Sequence, residues 1–385
     1  RIQHITALSH LQNEGIMGVD AFTLRNLEIF KSLANQEIHG TLVGTIDKTV
    51  TAAGSRLLKN NLRQPLNDPK KINLRLDRIT EFIEDRDTLQ LVQDHLKETS
   101  DIERILARVA SGKTNPRDLI NLGNTLTMLT NIRDSIPSKH KKLTLVLKSL
   151  VDINAITELI LSQIKADPTV STNKGGYIHD GISAELDELR HLSADANQWM
   201  LDMQMDEQKK TKISSLKVGF NRVFGYYLEV TKTHVEKVPD HYIRKQTLTN
   251  SERYFTEELK VYEEKILSAE EKIINLELGI FNDLQQKIIE NGIAIQQNAR
   301  ILAKLDVAAS LANLAIQRKY NRPKINIGTE LNIQNGRHPV VEDLLPVGEN
   351  FIPNDLNLNN KDTQIAIITG PNMAGKSTYL RQVGL

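Results

Sequence analysis

Apolar residues recur every three or four positions over much of this chain. Between 182 and 203 they fall at Ile182, Leu186, Leu189, Ala196, Met200 and Met203. That spacing places them on one helical face, and Ser183 stands where its hydroxyl can cap the first turn. A second series, Leu259, Tyr262, Ile266, Ala269, Ile273, Leu276, Ile280 and Leu284, approximates a heptad stripe. Continued to about residue 290, it predicts a rod on the order of 45–55 Å long at roughly 1.5 Å per residue. A stripe of this length needs a partner. The preceding helix, ending near residue 210, is the expected one and would make an antiparallel pair of arms; a homodimeric coiled coil is the other arrangement the stripe allows. Further helical patterns over 72–110, 116–134, 140–166 and 298–319, separated by short breaks such as Ser111–Pro116, suit a helical bundle.

Between the two arms the period changes. Residues 213–219 and 225–230 read as strands joined by a turn, and 242–249 as a third, before Asn250 and Ser251 introduce the long helix. The pattern predicts a small β-containing tip inserted into a helical hairpin. Thr51–Leu58 is helix-prone, with Thr51 as a possible cap and Ala52, Ala53 and Gly54 forming a small face for close helix packing. Gly175 and Gly176 read as a turn, Trp199 as a packing residue and His338, before Pro339, as a structural loop residue.

Composition narrows this picture. A length of 385 residues suggests two to four domains, and aromatics at 4% point to cores of Leu, Ile and Ala. The whole chain carries a formal charge of +1, which exerts no global pull on a polyanion. Residues 209–253 are different, with ten basic residues against four acidic ones, a net of +6. Charge gathered at the tip is what contact with a phosphate backbone requires, and such contact is sequence-independent and salt-sensitive. The candidates for it are Lys217, Asn221, Arg222, Arg244 and Lys245. The lack of Cys excludes disulfides, thiolate nucleophiles and Cys-ligated metals, and fits a cytoplasmic setting. No HExxH or GxSxG motif is present. No apolar run approaches the roughly 20 residues that span a bilayer, and no secretory signal or initiating Met opens the chain, so an upstream segment is expected.

The last residues carry the clearest chemistry. Gln364–Thr369 is a β-prone apolar run, followed by Gly370-Pro371-Asn372-Met373-Ala374-Gly375-Lys376-Ser377 and a helix-compatible stretch. Strand, GxxxxGK[ST] loop and helix in that order are the plan of a phosphate-binding loop. Glycine at 370 and 375 lets backbone amides turn toward a phosphate, and the helix adds the positive end of its dipole. Lys376 is placed for the β/γ-phosphates and Ser377 for magnesium. Upstream, Phe351 and Ile352 are candidates to cover an adenine face. The acidic residue and later strands that hydrolysis needs do not follow within Thr378–Leu385, so negligible ATPase activity and weak nucleotide affinity are expected of this polypeptide alone.

Six ordered segments resemble the MutS family of bacterial mismatch-repair proteins: Asp20–Phe30, Thr51–Pro65, Leu216–Val230, Tyr242–Leu259, Gly336–Glu342 and Thr369–Arg381. The resemblance implies a mainly α fold: a helical core with long antiparallel lever helices, a small inserted β-containing clamp domain, and the truncated start of a P-loop α/β ATPase domain. It implies a core and first lever over 1–205, a DNA-backbone clamp over 206–259, a returning lever and core over 260–325, and the beginning of the ATPase domain over 326–385. It further implies ATP or ADP with Mg2+ as cofactors, Asn372 and Thr378 beside the other loop residues as nucleotide contacts, and double-stranded DNA, including mismatched DNA, as partner. A homodimer and a MutL-type partner belong to the same implication. Two departures stand out. Ala374 occupies a position where the family has glycine, and Asn60-Asn61-Leu62 stands where it has Arg or Lys, then Trp and Leu. Competing readings are a MutS-related ATPase of recombination control, a structural ATPase of chromosome organisation, and a non-enzymatic basic scaffold.

Overall fold

The computed structural model describes residues 15–221, 225–371 and 374–385. They form a mainly helical structure with a small β-sheet insertion, divided into two compact units: residues to 104 with 125–153 and 293–385, and residues 105–124 with 154–292.

Short polar caps start the first helices. Asp20, Thr41, Thr51, Asp68 and Asp85 each accept a backbone amide at the first turn of α1 (Ala21–Asn26), α2 (Leu42–Ile46), α3 (Ala52–Arg63), α4 (Pro69–Glu84) and α5 (Arg86–Lys97). The helical pattern expected over 72–110 is therefore three helices, because Asp85 ends α4 and caps α5 before α6 (Ile102–Ala110) begins. Helix α7 (Pro116–Ser135) follows the predicted break. The stretch 140–166 likewise divides into α8 (Lys141–Leu147) and α9 (Asn154–Gln163).

In the first unit, α12 (Gly292–Arg318) is buried along most of its central turns. Its Asp306, 1% exposed, accepts the amides of Val50 at 3.0 Å and Thr51 at 2.8 Å and the Thr51 hydroxyl at 2.6 Å. Thr51 in turn caps α3 through the Gly54 amide at 2.9 Å. A Cβ on Gly54 would lie 2.1 Å from the Asp306 carboxylate, so of the small residues at 52–54 it is Gly54 whose lack of a side chain admits α12.

In the second unit, α10 (Ala184–Thr211) and α11 (Glu257–Glu290) are the two long helices, with Ser183 and Thr256 as their caps. Arg190 pairs with Glu277 and Trp199 stacks on Tyr262 at 3.6 Å between centroids, so later residues of one helix meet earlier residues of the other: the pair is antiparallel. Glu277 is fully buried and also accepts the amides of Gly176 and Tyr177 at 3.0 and 3.1 Å. Gly175 and Gly176 adopt φ of 61° and 81°, the left-handed turn that brings those amides round.

The insert is a four-stranded antiparallel sheet, ordered β1-β2-β4-β3, of β1 (Lys217–Asn221), β2 (Gly225–Thr231), β3 (Ile243–Thr247) and β4 (Ser251–Phe255). Two expectations change. Residues 213–216 are a turn after Lys212 closes α10 in a left-handed conformation, with Ile213 and Leu216 in the core instead of a ladder. Ser251 opens a fourth strand, and the long helix begins only after Thr256. Leu228, Val230, Tyr242 and Tyr254 bury one face of the sheet with Met203 and Leu259 of the two helices.

After α12, the strands β5 (Leu331–Gly336) and β6 (Asn354–Leu358) pair with each other around α13 (Pro339–Leu344), and α14 (Lys376–Gly384) closes the chain. The strand expected over 364–369 is not formed. Ile365 and Ile367 are 82% and 86% exposed, and no described strand pairs with this run, so its backbone has no ladder to join. A P-loop α/β sheet is thus absent among the described residues. Nor is any described helix long and apolar enough to cross a membrane.

Candidate functional site

The Gly370–Thr378 segment leads directly into α14. Gly375, at φ 83°, is the N-cap of that helix and makes no side-chain cap, so among the described residues its first amides have no cap. The Lys376 ammonium donates to the carbonyl oxygen of Gly370 at 2.5 Å, spanning the loop. Pro371, Ala374, Gly375 and Ser377 are exposed, while Asn372 and Met373 lie outside the described residues.

A cavity of about 890 Å³ opens beside this turn, lined by Phe351, Ile352, Ala374, Gly375, Lys376 and Thr378 among others. The two adenine-face candidates therefore share one cavity with the lysine and helix terminus, although Ile352 is 81% exposed. Gly370, Pro371 and Ser377 do not line it. No group of three or more His, Cys, Asp or Glu among the described residues could hold a metal. The donor set suits a phosphate: the Lys376 ammonium and the helix N-terminus at Gly375 meet at the cavity, and a cation held there would be shared with phosphate oxygens.

Further residues fix α14; Glu28, Tyr379 and Arg381 lie within the segments singled out from sequence, but their pairing is not readable in either segment alone. The Tyr379 hydroxyl donates to the carbonyl oxygen of Asp355 at 2.9 Å. Arg381 forms an ion pair with Glu28, whose own backbone is left-handed at φ 50° and whose other carboxylate oxygen accepts the Leu33 amide at 2.7 Å. Gln382 is buried, against Gly336 and Asn354. His338 caps α13 through the Val341 amide, and burial lowers its pKa, with Arg381 acting in the same direction.

The basic candidates of the sheet do not share one surface. Lys217 faces Glu229 across the β1–β2 ladder, and Glu229 faces Arg253, so these side chains occupy the polar face opposite the core. Arg244 pairs in register with Tyr254 on the core side of the far edge strand, where it reaches Glu252 at 3.7 Å with its side chain 64% exposed. Lys245 sits at the bulge of that edge and lies over the Phe255 ring at 5.3 Å. Asn221 ends the opposite edge strand, and Arg222 lies outside the described residues.

Local pairing trims the charge counted from sequence. Arg253 bonds Glu229 at 2.9 Å and covers the Tyr227 ring, and Lys210 bonds Glu207 at 2.8 Å. Exposed Lys217, Arg244 and Lys245 remain at the two margins of the sheet. Below them, burial and hydrogen bonding to Glu207 push the Tyr242 phenol well above its ordinary pKa, while burial and Glu252 push Tyr254 up to about 12. Both phenols stay protonated donors at neutral pH and tie carboxylates into the base of the sheet.

Comparison with known proteins agrees with this architecture. Residues 22–312 match the family described as MutS domain III. The chain is 44% identical over 385 residues to the DNA mismatch repair protein MutS of Salinibacter ruber, covering all of this chain and 42% of that protein. It is 43% identical to the protein of the same name from Bacteroides thetaiotaomicron over 386 residues, again the whole chain and 44% of the relative. The chain thus spans less than half the length of these curated relatives. A family match over most of the chain, with relatives aligned from end to end, establishes that it belongs to the MutS family.

Proposed function

We propose that this chain supplies the middle of a DNA mismatch-repair ATPase: a helical core, a pair of lever helices, a DNA-backbone clamp and the first part of a nucleotide site. The observation that carries the reading is a small sheet with exposed cations at both margins, mounted on a long antiparallel helix pair, in a MutS-family chain. In this assignment 1–205 and 260–325 are core and levers, 206–259 is the clamp, and 326–385 begins the ATPase domain. Lys217, Asn221, Arg222, Arg244 and Lys245 would meet phosphates of duplex DNA, matched or mismatched.

The nucleotide proposal rests on the shared cavity. Residues Gly370–Thr378 would hold the phosphates of ATP or ADP, Ser377 would serve the Mg2+ ion, and Phe351 or Ile352 would flank the base. Bound magnesium would supply neutralisation of phosphate charge; Lys376 and the first amides of α14 would orient the same group. Homodimerisation, a MutL-type partner and a cytoplasmic location follow as proposals from the family.

The test is a titration of residues 1–385 with homoduplex and mismatched DNA at two salt concentrations. Equal affinity for the two duplexes, falling as salt rises, is expected. Replacing Lys217, Arg244 and Lys245 together by Ala should weaken both alike and flatten the salt slope by about one for each phosphate no longer neutralised. Unchanged affinity in that variant would remove the clamp from the assigned surface.

A further inference from the structure

A pocket of about 400 Å³ opens in the first unit between α3, α4 and α12, walled by Leu57, Leu62, Leu76, Ile79 and Leu311. Among the described residues three cations, Arg75, Arg78 and Lys304, line this largely apolar space together with Asn61. No carboxylate among the described residues lines it. Arg75 donates to the Asn61 side-chain oxygen at 3.0 Å, but the Arg78 Nε is buried without a hydrogen-bond partner among the described residues.

The nearby acids are committed elsewhere. Asp77 pairs with Arg322 and Lys142, and Glu81 accepts the amides of Lys142 and Leu143, although its charge still reaches Arg78. Burial lowers the pKa of all three cations; mutual repulsion adds to this for Arg78 and Lys304. A cationic cluster held against apolar walls without a counter-ion is costly until an anion arrives.

We propose that this pocket is the docking site for a polypeptide segment presenting a carboxylate between apolar side chains, supplied by the part of a MutS-length chain outside these 385 residues. The apolar side chains fill the space between α3 and α12, and the carboxylate meets Arg78, Arg75 and Lys304. Size selects a tethered occupant over a free protein. The pocket admits a few side chains, whereas a stable complex between separate proteins engages roughly 20–30 residues a side; tethering raises the effective concentration enough for a small contact to hold. The relatives indicate where such a tether comes from, since proteins aligned with this whole chain are more than twice its length.

Octanoate serves as the probe, with octanol as the uncharged control, on residues 1–385 and on the full-length protein. Octanoate should bind the 385-residue chain about tenfold more tightly than octanol, the factor worth ~1.4 kcal/mol. Arg78→Met should abolish that preference, and Asn61→Trp, which fills the pocket, should abolish binding. The full-length protein should not take up octanoate, because its own segment occupies the site. Arg78→Met should also leave the melting temperature of the short chain unchanged or higher, yet lower that of the full-length protein. Should Arg78→Met fail to fold, Lys304→Met at the exposed rim carries the same comparison. Equal binding of octanoate and octanol would overturn the anion requirement. Octanoate uptake by the full-length protein, undiminished from the short chain, would overturn the tethered occupant in favour of a free amphipathic anion.

Discussion

Glu277 and Asp306 are both carboxylates withdrawn from water, at 0% and 1% exposure, yet the two units hold them by different means. Glu277 faces the Arg190 guanidinium and two amides of the Gly175–Tyr177 turn, so a full opposite charge accompanies it. Among the described residues Asp306 has no cation as a hydrogen-bond partner. It rests on the amides of Val50 and Thr51 and the Thr51 hydroxyl, at the N-terminal end of α3, where the helix dipole contributes fractional positive charge. The difference appears in the titration of Asp306: burial raises its pKa, and the Thr51 and Val50 bonds only partly oppose that rise. A salt bridge ties the long helices, whereas a cap shared between two helices ties α3 to α12.

The largest expected effect comes from breaking the charged junction. Glu277→Ala leaves Arg190 facing a buried gap and should destabilise by about 3–5 kcal/mol, read by denaturant unfolding. Glu277→Gln should cost less, since its amide oxygen still accepts from the turn; equal losses would show that charge contributes nothing there.

At the uncharged junction, Gly54→Ala drives a methyl group into the Asp306 carboxylate and should cost about 1–3 kcal/mol. Asp306→Ala should remove part of that penalty, so the double variant should lose less stability than the sum of the singles. Strict additivity would mean that the close approach is relieved by backbone movement instead.

The pH dependence should distinguish the wild-type chain from Asp306→Asn. Because the folded-state pKa of Asp306 lies above its unfolded value, the folded state takes up a proton as pH falls through that folded pKa. The gain is complete below the unfolded value, the ordinary 3.8. Relative to Asp306→Asn, the wild type should therefore gain stability on acidification toward pH 4 and lose it on return to neutrality. A difference that is flat with pH would remove the burial argument.

The smallest effect belongs to an exposed pair. Arg117 and Asp167, 55% and 93% exposed at the side chain, lie 3.3 Å apart, and Arg117→Ala should change stability by about 1 kcal/mol or less.

Much of the helical architecture is legible in residue order. The stripe ending at Leu284 marks α11, the run from Ile182 marks α10, and Thr51 and Ser183 mark the caps of α3 and α10, because these are local matters of periodicity and side-chain reach. The fourth strand is not legible in that way, because Ser251–Phe255 is short and polar on one face, and it becomes a strand by lying between β2 and β3. The run at 364–369 fails in the opposite sense: its β-prone residues have no neighbouring strand to complete a ladder.

In the candidate site, the glycine spacing and Lys376 are readable directly, but the anchoring of α14 by Glu28 and Asp355 is not, since 353 residues of sequence separate Glu28 from Arg381. The clamp candidates show the same boundary. Their excess charge can be counted along the chain, while strand register alone assigns Lys217 to the polar face and Arg244 to the far core-side edge.

The sequence by itself determined the long amphipathic helices, their caps, the basic character of the insert and the glycine-bordered loop, because each depends on neighbours within a few positions. Tertiary structure alone decided which carboxylate would be buried beside a guanidinium and which against a helix terminus, and which basic side chains would remain exposed. Those outcomes depend on what distant segments bring within hydrogen-bond reach, where desolvation and pairing set the energy.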